Sequence, residues 1–382
     1  MEPLLKHERF SSSLVHAVRL GDQCLVEWLV EHGQLGILQW LVKQHASRII
    51  WSGDELLDAA ARNDSVMARW LIEHSGRIYG YNATDMGLFL HYMAKYGDLE
   101  MIKWAHDQCQ AHGVRIRTGR LEEVFYWTGV IGRDDLTEYV SEGLECPDWR
   151  KCLEGAIHGG HLELAKKVQE RYGVHHVSAR CLVRPASCGN SELIEWTLSN
   201  CTLDDEDMLE LVITSAAGSG HLDIVQCIWK IFGIRCSVNA IISAAKNGHL
   251  EVIKWVHENS SDPGSHHAMD EAATYGHLDV VKWLHENRSD GCSYAAMRGA
   301  AQRNHLEVVK WLHHTQPKHI SSYGEGPSLT LNAMEGAAWW GRFEVVKWLH
   351  CHSPHIGSTA VMDSAAANGD LEMVKWLHEK RY

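Results

Sequence analysis

The sequence predicts an all-α fold, a solenoid of stacked helix-turn-helix units. Three observations carry that expectation. A Gly-His or Gly-Asp turn recurs along the chain, an Ala-rich run precedes it, and an apolar run bearing a tryptophan follows it, as in "NGHLEVIKWVHEN" from Asn247 to Asn259. The glycine slot of this turn is filled at Gly160, Gly189, Gly220, Gly248, Gly276, Asn304, Gly341 and Gly369, at intervals of 29, 31, 28, 28, 28, 37 and 28 residues. Similarity at a fixed period of this size is the mark of a repeat architecture.

Weaker copies at Gly132, Gly97, Asn63 and Gly21 bring the count to about twelve units, read as one array over residues 1–382. Two segments depart from the period. Residues 33–50, opening "GQLGILQWLVKQH", match only the second half of a unit and read as an inserted orphan helix with Trp40 in the tryptophan slot. Residues 315–328, "TQPKHISSYGEGPS" from Thr315 to Ser328, read as a loop insertion, because Pro and Gly mark turns.

Each unit begins with a hydroxyl eleven residues before the slot, at Ser52, Ser178, Ser237, Ser265, Ser293, Thr330 and Ser358. Such a side chain accepts from an orphan backbone N–H at a helix start, worth about 1 kcal/mol. Met269, Met297, Met334 and Met362 follow on the first helix, and Ala pairs such as Ala272-Ala273 and Ala300-Ala301 let it pack closely. The slot residue then closes the helix in the left-handed conformation. Gly adopts it freely and Asn tolerates it, which accounts for Asn63 and Asn304.

The second helix carries an early acid at Glu251, Asp279, Glu307, Glu344 and Glu372, suited to the positive helix end and three residues before a lysine. Its apolar arc is wide. In the Asn304 copy, Leu306, Val308, Val309, Trp311 and Leu312 leave only Glu307, Lys310 and flanking histidines for water. Two helices of about ten residues cannot bury such an arc alone, so neighbouring units must supply the core. A ladder of tryptophans between units is expected through Trp70, Trp104, Trp196, Trp255, Trp283, Trp311, Trp348 and Trp376.

The core "AAxxGHLEVVKWLHEN" resembles the ankyrin repeat, over roughly 350 residues. The "TPLH" signature of that family is replaced by "S-x-x-A-M", and the spacing is 28 rather than 33 residues. This tryptophan-rich form is similar to arrays of protists, oomycetes, algae and giant viruses. The resemblance implies a binding scaffold without enzyme chemistry. The short link "ENRSDGCS", Glu286 to Ser293, implies β-hairpin fingers that are short or absent, and it leaves the concave face of the first helices as the binding surface.

Composition narrows the remaining classes. A formal charge of -13 speaks against a broad phosphate-binding surface, so nucleic acid is not an expected partner. The eleven cysteines include no C-x-x-C pair and read as reduced thiols. Neither a signal peptide nor a run of apolar residues long enough to span a membrane is evident, so a cytoplasmic or nuclear location is expected.

Twenty-seven histidines invite a metal reading. One series follows the slot directly (His161, His221, His249, His277, His305), and a second lies eight residues on (His257, His285, His313, His350, His378). Eight helical residues span about 12 Å and stacked helices lie about 8–10 Å apart, whereas zinc ligands sit about 2 Å from one point. No metal site is therefore expected in the chain, and the first series reads as side chains that fix the turn on neighbouring backbone. A Glu-Lys-His set that recurs in almost every unit is not a catalytic constellation, and no phosphate-binding or nucleophile-elbow motif occurs. No catalytic residue and no cofactor is assigned.

Residues that break the pattern at exposed first-helix slots are more informative. Trp339 and Trp340 replace polar pairs such as Lys246-Asn247 and Gln302-Arg303, and adjacent tryptophans there suit either a partner or packing under the nearby 315–328 loop. Asp270, Glu271, Tyr275, Tyr294, Arg298 and Glu335 occupy equivalent variable slots. The leading expectation is a non-enzymatic protein-protein interaction scaffold whose partner is an unidentified protein. The second is an architectural subunit of a larger assembly, with the last helix, "KWLHEKRY", covered by another subunit or by a copy of itself. A helical-repeat RNA binder is the third.

Overall fold

The computed structural model describes residues 23–45, 54–74, 83–111, 118–143, 148–205, 208–234, 236–259, 265–315, 327–353 and 359–380. These fold into 24 α-helices, and the only strands among them are the two-residue pieces His176–Val177 and Thr202–Leu203. The fold is thus the expected all-α repeat. The chain divides into two compact units, one ending at Val177 and the other starting at Ser178.

The N-terminal unit holds five helix pairs, each named here by its turn residue. They are the Gly33 pair (Gln23–Glu31, Leu35–His45), the Asn63 pair (Glu55–Ala61, Ser65–His74), the Gly97 pair (Ala83–Tyr96, Leu99–Ala111), the Gly132 pair (Thr118–Ile131, Asp134–Gly143) and the Gly160 pair (Trp149–Gly159, Leu162–Tyr172). The segment expected to hold an orphan helix supplies Leu35–His45, which follows its predecessor across left-handed Gly33 as the other second helices do. Gly21 and Ser52 lie outside the described residues.

The C-terminal unit holds seven pairs. The Gly189 pair opens with a 3-10 turn, Ala179–Leu182, before Val183–Cys188 and Ser191–Asn200. Then come the Gly220 pair (Leu209–Gly218, Leu222–Phe232), the Gly248 pair (Val238–Lys246, Leu250–Asn259), the Gly276 pair (His266–Tyr275, Leu278–Asn287), the Asn304 pair (Tyr294–Gln302, Leu306–Thr315), the Gly341 pair (Pro327–Trp339, Phe343–His352) and the Gly369 pair (Thr359–Ala367, Leu371–Glu379). Within each unit, successive first helices pack side by side.

The turn forms as its residues dictate. Asn63 and Asn304 have φ of 59° and 67°, and every described slot glycine has positive φ. The backbone N–H one residue past the slot closes onto a carbonyl of the first helix five residues back, as in His277 to Ala272 and His305 to Ala300, both 2.9 Å. That six-residue closure satisfies a carbonyl the helix end would otherwise leave open. The Ala pairs are fully buried, as are Val280, Val281, Val308 and Val309 on the second helices.

The expected caps form in part. Ser178, Ser265 and Ser293 accept from backbone N–H groups two residues on, whereas the Ser237 hydroxyl makes no cap bond and is buried without a partner among the described residues. Thr330 is not a cap. Its helix starts three residues earlier at Pro327, whose fixed φ and missing N–H suit a first helical position, and the helix thus absorbs the end of the expected 315–328 loop. The other end, Thr315, is also helical, while 316–326 and Ser358 lie outside the described residues. Ion pairs close between Lys254 and Glu251, Lys310 and Glu307, and Lys347 and Glu344, at 2.7 to 2.9 Å.

Candidate functional site

The residue after the slot has two chemistries. Where it is Asp or Asn, the side chain caps its own second helix: Asp64 accepts from the Met67 N–H at 2.9 Å, Asp98 from Met101 at 3.0 Å, Asn190 from Leu193 at 3.2 Å and Asp370 from Met373 at 3.0 Å. Where it is His, the ring reaches back to the preceding pair. Nε2 of His161, His221 and His277 meets the carbonyls of Val130, Ser187 and Lys246 at 2.9, 3.2 and 3.0 Å. Arg342 does the same with its Nε on the Gln302 carbonyl, 2.9 Å.

These rings lie on the preceding slot glycine. A Cβ at Gly132, Gly189, Gly220, Gly248 or Gly276 would come within 2.4 to 2.6 Å of the imidazole of His161, His221, His249, His277 or His305. The turn-fixing role expected of the first histidine series is thus a clasp between pairs, and it makes glycine necessary for space as well as for φ.

The second histidine series has a partner that the sequence reading did not foresee. His257, His285, His313 and His350 meet Trp283, Trp311, Trp348 and Trp376 of the next pair edge-on, at centroid distances of 5.1 to 5.4 Å. His106 meets Tyr139 in the same way, at 6.1 Å. The tryptophans do bridge pairs, but each is half-buried rather than sealed in the core. Such histidine-tryptophan contacts are structural, and their repetition assigns them to the scaffold.

Thiol chemistry finds no support among the described cysteines with shifted thiols. Burial pushes the thiols of Cys152 and Cys292 up to about 12 and those of Cys109, Cys201 and Cys236 up to about 11, away from thiolate reactivity.

The variable slots separate sharply. Trp339 and Trp340 are 57% and 55% exposed, side by side at the end of their helix. Tyr294 and Arg298 are exposed, and Glu271, Tyr275 and Glu335 are half-buried. Tyr275 lies between two cations, with Lys246 Nζ 5.0 Å and the Arg303 guanidinium 4.2 Å from its ring centre. In repeat register Tyr275, Arg303 and Trp340 are equivalent, so aromatic and cationic side chains alternate along this edge.

Asp270 corrects the expectation of an exposed slot: it is only 5% exposed. Its carboxylate accepts from the Ser293 N–H at 2.7 Å and the Ser293 hydroxyl at 2.6 Å, tying one pair to the helix start of the next. Burial raises its carboxyl above the usual carboxylate value, against the lowering by those hydrogen bonds. Beside it stand His266 and His267, whose ring nitrogens and the Asp270 carboxylate lie within 4.8 Å of one another.

The sequence points to no partner-binding residue in the N-terminal unit, yet the same register places a second aromatic set there. Tyr92, Tyr96, Tyr126 and Trp127 fill the slots that Glu271, Tyr275 and Asp270 fill in the Gly276 pair. Lys95 Nζ sits 5.3 Å from the Trp127 ring centre, His91 Nδ1 lies 2.8 Å from Glu123, and Tyr126 packs on Trp127 and His158.

Comparison with known proteins places the motif. The family model for ankyrin repeats (many copies) matches residues 269–313 and 333–378, which cover the pairs just described around Asp270 and Trp339. No curated protein matches the chain. Among the described residues, no helix is long and apolar enough to cross a membrane.

Proposed function

We propose that the chain, two stretches of which match the ankyrin-repeat model, is a protein-protein interaction scaffold that holds a protein partner on the exposed edge of its first helices, with Trp339 and Trp340 as anchors. The observation that carries this reading is the exposure of both indoles, more than half of each and side by side, where the tryptophans of the second helices from Trp255 to Trp376 are half-buried. Tryptophan is the residue type most enriched among interface residues that dominate binding energy. Tyr275, stacked between Lys246 and Arg303, extends the same edge with rigid aromatic area and positive charge. Tyr294, Arg298, Glu335 and Glu271 are its polar surround. Asp270 leaves this set, because its carboxylate is engaged within the fold.

Recurrence separates scaffold from function. The Gly-His clasp, the Glu-Lys pairs and the histidine-tryptophan contacts appear in pair after pair, so none of them distinguishes one partner from another. The tryptophan pair occurs once. Affinity capture from cell extract with the full chain, compared with W339A/W340A, tests the reading: specific proteins retained by the wild type and lost from the double variant support it, and equal recovery on both contradicts it.

A further inference from the structure

We propose that His266, His267 and Asp270 form a binding site for a single divalent transition-metal ion of the Zn2+ class. The three residues sit in one helix, with His266 and Asp270 four apart and His267 and Asp270 three apart, spacings that put both imidazoles over the carboxylate. Their potential ligand atoms lie within 4.8 Å of one another. Ligands about 2 Å from a common zinc ion lie roughly 3.3 Å apart, so side-chain rotations of about 1 Å complete the set. Two imidazoles and one carboxylate are a donor set that suits zinc with a water in the remaining position.

Three further features belong with a ligand site. The Asp270 carboxylate is oriented from behind by the Ser293 N–H and hydroxyl, as metal-binding carboxylates are held by outer hydrogen bonds, and its remaining lone pairs are available to an ion. Neither imidazole ring makes a hydrogen bond to the described residues, and the two rings lie beside each other, 4.2 Å between centroids. The carboxylate is also only 5% exposed, so an ion held on it would be largely shielded from water.

The set is unlike the two histidine series, because it occurs once. The equivalent positions are Val238, Asn239 and Ile242 in the Gly248 pair, Tyr294, Ala295 and Arg298 in the Asn304 pair, and Leu331, Asn332 and Glu335 in the Gly341 pair. None of these triples offers two ligands of this kind. Because Asp270 also holds Ser293, which accepts from the Ala295 N–H at the start of the next first helix, a bound ion would stiffen the junction between the Gly276 and Asn304 pairs.

The test is uptake of Zn2+ and Co2+ by the full chain after chelator treatment, followed by dialysis, metal analysis and visible absorption of the Co2+ form. H266A/H267A and the single variant H267A, whose exposed ring leaves the Asp270 to Ser293 bonds in place, are compared with H175A/H378A, which removes two exposed histidines elsewhere. Metal-free melting curves establish that each variant folds. The expected result is one tightly held ion in the wild type and in H175A/H378A, a rise in melting temperature with Zn2+, and loss of both in H266A/H267A, with at least a tenfold weaker affinity in H267A. Equal uptake by H266A/H267A and the wild type, or no tightly held ion in the wild type, overturns the proposal.

Discussion

The Asn63 and Gly97 pairs of the N-terminal unit and the central pairs of the C-terminal unit use the same position for different ends. Asp64 and Asp98 follow the turn and spend their carboxylates on their own second helices, as Asn190 and Asp370 do in the C-terminal unit. His221, His249, His277 and His305 lay their rings on the glycine of the pair before, as His161 does in the N-terminal unit. An Asp at this slot stabilises one helix; a His couples two neighbours. A repeat array whose stability is a sum of unit and interface contributions is therefore tuned locally at the first kind of slot and made cooperative at the second. At the N-terminal junction that His161 clasps, between the Gly132 and Gly160 pairs, the backbones also approach directly: a Cβ on Gly155 would stand 2.0 Å from the Tyr126 carbonyl oxygen, and one on Gly129 would stand 2.2 Å from the Cys152 oxygen.

The sharpest way to break this contrast is to fill the glycine under a histidine. Gly276→Ala meets both the left-handed φ of 88° and the His305 ring at 2.4 Å, whereas Gly369→Ala meets a φ of 75° with nothing within 4 Å. The first is expected to cost about 3 kcal/mol and the second about 1 kcal/mol, the difference being overpacking. Adding His305→Ala to Gly276→Ala should recover the steric part, a coupling that a double-mutant cycle by urea unfolding reads directly.

A smaller effect distinguishes cap from clasp. His277→Ala removes the bond to the Lys246 carbonyl and should cost about 1 kcal/mol, and His277→Asp should regain part of it by capping Leu278–Asn287. The regained stability is local, so hydrogen exchange should show the Gly248 and Gly276 pairs opening separately in His277→Asp and together in the wild type.

Acidity offers a third probe. Burial, with nearby positive groups, holds the imidazoles of His249, His305, His313 and His350 below their ordinary value of 6.5. The unfolded chain then takes up protons more readily than the folded one. Stability from the neutral rings is complete above about pH 6.5 and is lost as the pH falls through the lower folded-state values. Urea midpoints for the C-terminal unit should drop between pH 7.5 and pH 5.5, and replacing His249 and His305 by Gln should flatten that dependence.

The same contrast governs how much could be read from the sequence. Left-handed turns at Gly97, Gly132, Asn63 and Asn304 were legible because only Gly and Asn accept that conformation, a requirement of one residue on its own backbone. The Ala-lined first helices and valine-rich second helices were legible for a similar reason. What escaped depends on side chains meeting across pairs. The partners of His257 and His285 lie 26 residues further on, at Trp283 and Trp311, and no local pattern announces such contacts. Asp270 was read as solvated because its own helix places it at a variable slot, while Ser293 of the next pair is what buries it. Tyr126 and Trp127 are within reach of the register, but the copies around Gly132 and Gly97 match the repeat too weakly for a departure at one slot to stand out.

The central claim is that recurring residues build this protein and the exceptional ones give it a partner. It is tested most directly by measuring, for W339A/W340A, both unfolding stability and affinity for the protein captured by the wild type. The account predicts stability within about 0.5 kcal/mol of wild type, as befits exposed side chains, and an affinity loss of about 2 kcal/mol or more. Unchanged affinity, or a loss of affinity matched by a loss of stability, would contradict it.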